Sequence, residues 1–135
     1  MRIEIHVPAV PVAQPRARSR GAGKGVYNPS TADAYKASVQ LAARQQYQGE
    51  TLEGPLSASV LFVMPRTKAW KPQERTPHTK TPDVDNLLKS TFDALNGTLW
   101  RDDRQIWVVT TRKVIAAGDE QPHVKLTIET ADPAP

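Results

Sequence analysis

"TPDVDNLLKSTFDALNGTLWRDDRQIWVVTTRKVI" (Thr81–Ile115) carries a proline, two aspartates two residues apart, an amphipathic run, a glycine, a second acidic pair and a β-branched run. Leu88, Phe92 and Leu95 recur at helical spacing, widened by Leu87, Thr91 and Ala94. That pattern predicts a helix from Val84 to Asn96, with Gly97 as the glycine that ends it. Ile106 to Ile115 is rich in β-branched residues and predicts a strand. A helix that hands over at once to a strand is the repeating half of an α/β layer.

The flanks supply the remainder. Leu56 to Met64 reads as a strand stopped by Pro65; its end is apolar on both faces, which predicts a central place in a sheet. Arg2 to Val7 alternates, with Ile3, Ile5 and Val7 on one face, as in a strand with one side buried. A second helix is expected from Thr31 to Gln48, capped by Ser30 or Thr31, with Asp33 in its first turn and Gly49 at its end. Its Ala34, Ser38, Leu41 and Gln45 share one face, with Tyr35, Val39 and Ala42 beside it; this small-residue face is expected to pack on a sheet. Val124 to Glu129 is expected as a last strand paired to its predecessor through "AAGDEQPH", and residues 130–135 as a frayed tail. Residues 8–29 carry proline, glycine and basic charge, with a hairpin tip expected at Gly21 to Gly25. Arg66 to Pro82 is a loop long enough to suggest a function. No internal repeat or boundary divides the chain, so one domain, residues 1–135, is expected: two helices on one sheet.

Absence narrows the chemistry. The 135 residues contain no cysteine, which excludes disulfides, thiolate metal sites and a cysteine nucleophile. No run of about 18 apolar residues exists to span a membrane. A soluble cytoplasmic protein is expected. The net charge is +4, and its distribution matters more than its size. Arg16, Arg18, Arg20 and Lys24 form one basic segment; Arg66, Lys68, Lys71, Arg75 and Lys80 form another. Two basic segments flanking acids suit a polyanion held on either side of a cation site. Solvated surface charge is the alternative.

Asp85, Lys89 and Asp93 lie at i, i+4 and i+8, on the helix side opposite the apolar stripe. Asp83 stands at the helix start after Pro82. Asp103 directly precedes the next strand, and the six links from Gly97 can just return it toward the helix start if they run straight back. Three carboxylates without histidine or cysteine suit Mg²⁺ or Mn²⁺ rather than Zn²⁺. Lys89 is placed to hold a phosphate oxygen. A helix cap at Asp83, a dipole partner at Asp85, an Asp85–Lys89 surface pair and a self-neutralising "RDDR" turn are the plainer readings. Asp93 is read as surface. The scattered histidines form no motif, and Trp70 among lysines either stacks on bases or packs the loop.

The block "KTPDVDNLLKSTFDALNGTLWRDDRQI" (Lys80–Ile106) resembles the signature of the RusA family, phage- and prophage-associated Holliday junction resolvases. The shared pattern is a D-x-D-N-x-x-K helix start, a D-A-L helix end, then an aromatic and a D-D pair before a strand. "AVPVAQPRARSR" and "VYNPSTADAYKASV" resemble the basic loop and first helix of its phage-type branch. The resemblance implies a mixed α/β (α+β) sheet with two helices on one face, a homodimer acting on four-way branched DNA, and Mg²⁺ dependence with Mn²⁺ as a possible substitute. It also implies a place in the bacterial cytoplasm. It assigns metal ligation to Asp83, Asp85 and Asp103, catalysis to these and Lys89, and supporting roles to Asn86 and Asp102. The expected function is paired, symmetric hydrolysis of junction phosphodiesters. A non-catalytic junction binder and a flap or fork nuclease are the rivals.

Overall fold

A computed structural model describes residues 1–15, 18, 19, 21–23, 25–27 and 31–131. Two helices and a five-stranded sheet build an α+β fold. The strands are β1 (Arg2–Val7), β4 (Leu56–Met64), β5 (Thr76–Pro77), β6 (Ile106–Ile115) and β7 (His123–Thr130), ordered β1-β7-β4-β6-β5. A separate two-residue hairpin pairs β2 (Arg18–Ser19) with β3 (Val26–Tyr27). The hairpin expected around Gly21–Gly25 is therefore formed; Gly23 and Gly25, at φ +74° and +78°, take the left-handed conformation that favours glycine.

The sheet is mixed. β1 runs antiparallel to β7 and β7 antiparallel to β4, while β4 and β6 are parallel. A parallel pair needs a crossover, and helix α2 (Val84–Leu95) supplies it. The expected pairing of the last two strands does not occur: β4 lies between β6 and β7. The reason is β4 itself, whose Phe62, Val63 and Met64 are all buried and demand a neighbour on each side. The turn between β6 and β7 crosses the end of β4, where the Ala116 N–H donates to the Met64 carbonyl at 2.9 Å.

One sheet face is covered. Ile5, Val60, Phe62, Leu126 and Ile128 point into a single core beneath both helices. Helix α1 spans Asp33–Gln46, shorter than expected at each end, and its N-cap is Ala32, without a side-chain cap. Ser30 lies outside the described residues. Its buried face is Tyr35, Val39, Ala42 and Ala43, whereas Leu41 is 56% exposed. The expected Ala34/Leu41 face thus looks outward; the Tyr35 ring supplies more buried area than Leu41 would, and only one of the two faces can meet the core. Helix α2 buries Leu87, Phe92, Ala94 and Leu95 and ends at Leu95, with Asn96 as its C-cap and Gly97 following at φ +76°. Thr130 belongs to β7, held by the Met1 amino group at 2.9 Å, and the Ala131 N–H reaches the Pro55 carbonyl, so neither of these two residues frays as expected. Residues 132–135 lie outside the described residues. No helix among the described residues is long and apolar enough to cross a membrane.

Candidate active site

The start of α2 presents its two aspartates without using them structurally. Asp83 is the N-cap residue, extended at φ −71° and ψ 146°, yet its side chain makes no capping bond. Its carbonyl begins the helix instead, accepting the Leu87 N–H at 3.2 Å. Asp85 lies in the first turn and is exposed. Neither carboxylate forms an ion pair among the described residues, and the plain Asp85–Lys89 pair is absent. Both aspartates line an open recess of about 470 Å³, bounded across the gap by Thr111 and Lys113 of β6 and by His78. Burial, then the charge of Lys113, holds the His78 imidazole below its usual pKa. Its Nδ1 and the Thr111 hydroxyl are buried without a hydrogen-bond partner.

Asp103 does not join them. Among the described residues no three His, Cys, Asp or Glu side chains are grouped so as to hold a metal ion, so the expected Asp83–Asp85–Asp103 cluster does not form within one chain. The cause is the connection after α2. Instead of running straight back, it folds on itself: Thr98 and Leu99 donate to the Leu95 carbonyl at 3.0 Å, and Gly97 donates to Trp100 at 2.7 Å. Trp100 is fully buried there, its Nε1 donating to Asn96 Oδ1 at 2.7 Å. Asp103 is thereby left at the far end of α2. Burial raises its carboxyl pKa, and the neighbouring carboxylates of Asp102 and Asp93 raise it further, against an opposing hydrogen bond with Asn96.

Asp93 therefore faces Asp103, which its reading as plain surface missed; its place eight residues after Asp85 is the sequence signal. Asp85, Lys89, Asp93 and Asp103 make an acidic row with one lysine along the outer side of α2, about 12 Å from Asp85 to Asp93 at ~1.5 Å per residue. Asp102 caps the 3-10 turn Asp103–Gln105: its carboxylate accepts the Arg104 N–H at 3.0 Å, and Gln105 returns the capping bond. Asn86 contributes its carbonyl, which accepts the Gln14 N–H at 3.0 Å. Only four chain links join Gln14 to Arg18, so the basic hairpin starts within about 14 Å of Gln14 and hence close to the start of α2.

The expected DNA contacts divide. Arg16, Arg20 and Lys24 lie outside the described residues, and Arg18 opens β2. Arg66 donates through Nε to the Gly118 carbonyl at 2.9 Å, Lys71 pairs with Asp119, and Arg75 grips both oxygens of Glu120. These three tie the long loop to the β6–β7 turn. Lys68 and Lys80 are exposed and form no ion pair among the described residues. Trp70, in the same loop, is 47% exposed.

A family model described as endodeoxyribonuclease RusA matches residues 8–129, a span that holds both helices, the acidic row and the basic loops. The chain belongs to the RusA family. It is accordingly an endodeoxyribonuclease, a hydrolase of DNA phosphodiester bonds, and the non-catalytic alternative falls away. The chain is also similar to the uncharacterized protein YqaN of Bacillus subtilis (strain 168), 33% identical over 138 residues that cover 93% of this chain and 94% of that protein. The D-x-D-N-x-x-K block of this RusA chain is the start of α2, and its D-D pair is the 3-10 turn at the other end.

Proposed function

We propose that the protein is a structure-selective endonuclease that resolves four-way DNA junctions by paired, symmetric nicks in the presence of Mg²⁺. The observation that carries this reading is the Asp83–Asp85 pair: two carboxylates, two residues apart, free of cap and ion pair, opening on one recess. Two hard oxygen donors with room for water and a phosphate fit Mg²⁺, which commonly takes one or two carboxylates and fills its remaining positions with water and substrate. Mn²⁺ fits the same donors. Bound there, such an ion supplies an activated water and charge stabilisation at the leaving oxygen.

The chain's own groups do the rest. Asp83 and Asp85 would hold the ion. Lys89, one turn on and without an ion pair among the described residues, offers its ammonium to a non-bridging phosphate oxygen. Asp103 closes the row at the other end, its unneutralised charge facing the path of the strand. The basic segment Arg16, Arg18, Arg20 and Lys24, together with Lys68 and Lys80, grips the backbone without reading bases.

Paired cuts require paired sites, and a twofold homodimer provides them. The outer edge of β6 supports that assembly. Among the described residues β5 pairs only with Val114 and Ile115, which leaves that edge open from Ile106 to Arg112. Trp107, Val108 and Val109 are exposed there at 72%, 39% and 44%. An apolar edge strand without charge from Gln105 to Thr111 is a template for pairing with a second copy. The test is a substrate panel of four-way junction, flap and fork in Mg²⁺. Symmetric nicks on the junction alone establish resolution; preferential cutting of flaps or forks assigns the family chemistry to another branched substrate.

A further inference from the structure

Asp83 stands where an aspartate ordinarily stabilises a helix start, yet gives nothing to the cap. Something else must hold the turn that aims it. Lys113 occupies that role. It lies on the helix-facing side of β6, in register with the buried Phe62. Its Nζ reaches across to the loop and donates to two carbonyls, Lys80 and Pro82, at 2.6 Å each. Its own carbonyl accepts the His78 N–H at 3.0 Å. One residue therefore closes both ends of the segment 78–82, and Pro82 is bonded directly to Asp83. Charge-assisted bonds of this kind are about twice as strong as neutral ones.

We propose that Lys113 is the positioning residue of the aspartate pair: by clamping the Lys80 and Pro82 carbonyls it sets the direction of Asp83 and Asp85 and leaves both carboxylates free for a divalent cation. The proposal rests on the reading of that pair as the cation site. It makes a sign-specific claim. A lysine acting only through its charge repels a cation, and its removal tightens cation binding. A lysine acting through geometry does the opposite. Loss of an outer partner of a metal ligand typically weakens affinity by about 10–100-fold.

The experiment is a Mn²⁺ titration of the DNA-free protein followed by electron paramagnetic resonance, with circular dichroism to confirm folding. Lys113→Met is expected to weaken Mn²⁺ binding about 10–100-fold, and Lys113→Arg, which keeps charged donors, to recover part of it. Lys113→Gln serves if the Met variant does not fold. Unchanged or tighter Mn²⁺ binding by a folded Lys113→Met or Lys113→Gln protein overturns the proposal. Lowered thermal stability with wild-type affinity overturns it as well, since that is what a merely structural lysine gives. Asp85→Asn is the control on the underlying reading: if wild type and Asp85→Asn are equally unable to bind Mn²⁺, the cation site itself is wrong and the clamp falls with it.

Discussion

The hydroxyls of Tyr35 and Thr91 lie 2.8 Å apart between the two helices, both buried. Thr91 also donates to the Leu87 carbonyl at 2.8 Å, so its oxygen accepts the Tyr35 proton. The bond joins α1 to the middle of the helix that carries the acidic row. Tyr35→Phe leaves Thr91 still donating and is expected to cost about 1 kcal/mol; Thr91→Val strands a buried phenol and is expected to cost more, ~1–3 kcal/mol. Urea denaturation of the two variants checks the order.

The same contact has a signature in alkali. Burial pushes the Tyr35 pKa up to about 12, with the Thr91 bond acting the other way. The unfolded chain releases that proton near the usual value of about 10. The folded state therefore holds more protons across this window, and stability falls as pH rises from about 10 to about 12. Absorbance at 295 nm is expected to show one tyrosine ionising late in wild type and no such step in Tyr35→Phe.

Asp103 is expected to set activity against stability. Its raised pKa means that the unfolded chain loses the proton first as pH rises, so stability falls as pH rises through that window. Asp103→Asn removes the charge while keeping a hydrogen-bonding group. A higher melting temperature at pH 7, a smaller gain in acid and loss of nicking are expected. A melting temperature unchanged at pH 7 would show that the acids at this end of α2 do not repel one another.

The basic loop contains two kinds of cation, and salt dependence separates them. Lys68 and Lys80 form no ion pair among the described residues; removing each is expected to lower the slope of log affinity against log salt by about 1 if it meets a phosphate. Arg75 is committed to Glu120, which its guanidinium holds below the usual carboxylate pKa. Arg75→Ala is expected to cost up to about 1 kcal/mol of stability, the range of partly exposed pairs, and to leave the salt slope nearly unchanged.

Much of the fold is legible along the chain because it is local. The bounds of β1, β4 and β6 follow from alternation and β-branching, and α2 ends one residue before the expected stop because Gly97 terminates it. What is not legible is non-local. The sequence shows two strands joined by a short turn, but not that β4 must lie between them. In α1, two faces repeat at helical spacing, and Tyr35 against Leu41 is decided by the core. At the site, the Asp83–Asp85 spacing is readable, whereas Asp103 depends on how residues 97–100 fold. Lys113, a lysine inside a β-branched strand, gives no sign of its two carbonyl partners, which lie more than thirty positions earlier.

The proposed function requires the aspartates at the start of α2 for paired cutting of a branched junction. The most direct measurement is cleavage of a four-way junction with a short mobile centre in Mg²⁺, comparing wild type with Asp85→Asn. Wild type is expected to give symmetric nicks in opposing strands and the variant none, with the variant still folded. Wild type that binds the junction without nicking it in Mg²⁺ or Mn²⁺, or a variant that cuts as well as wild type, would contradict it.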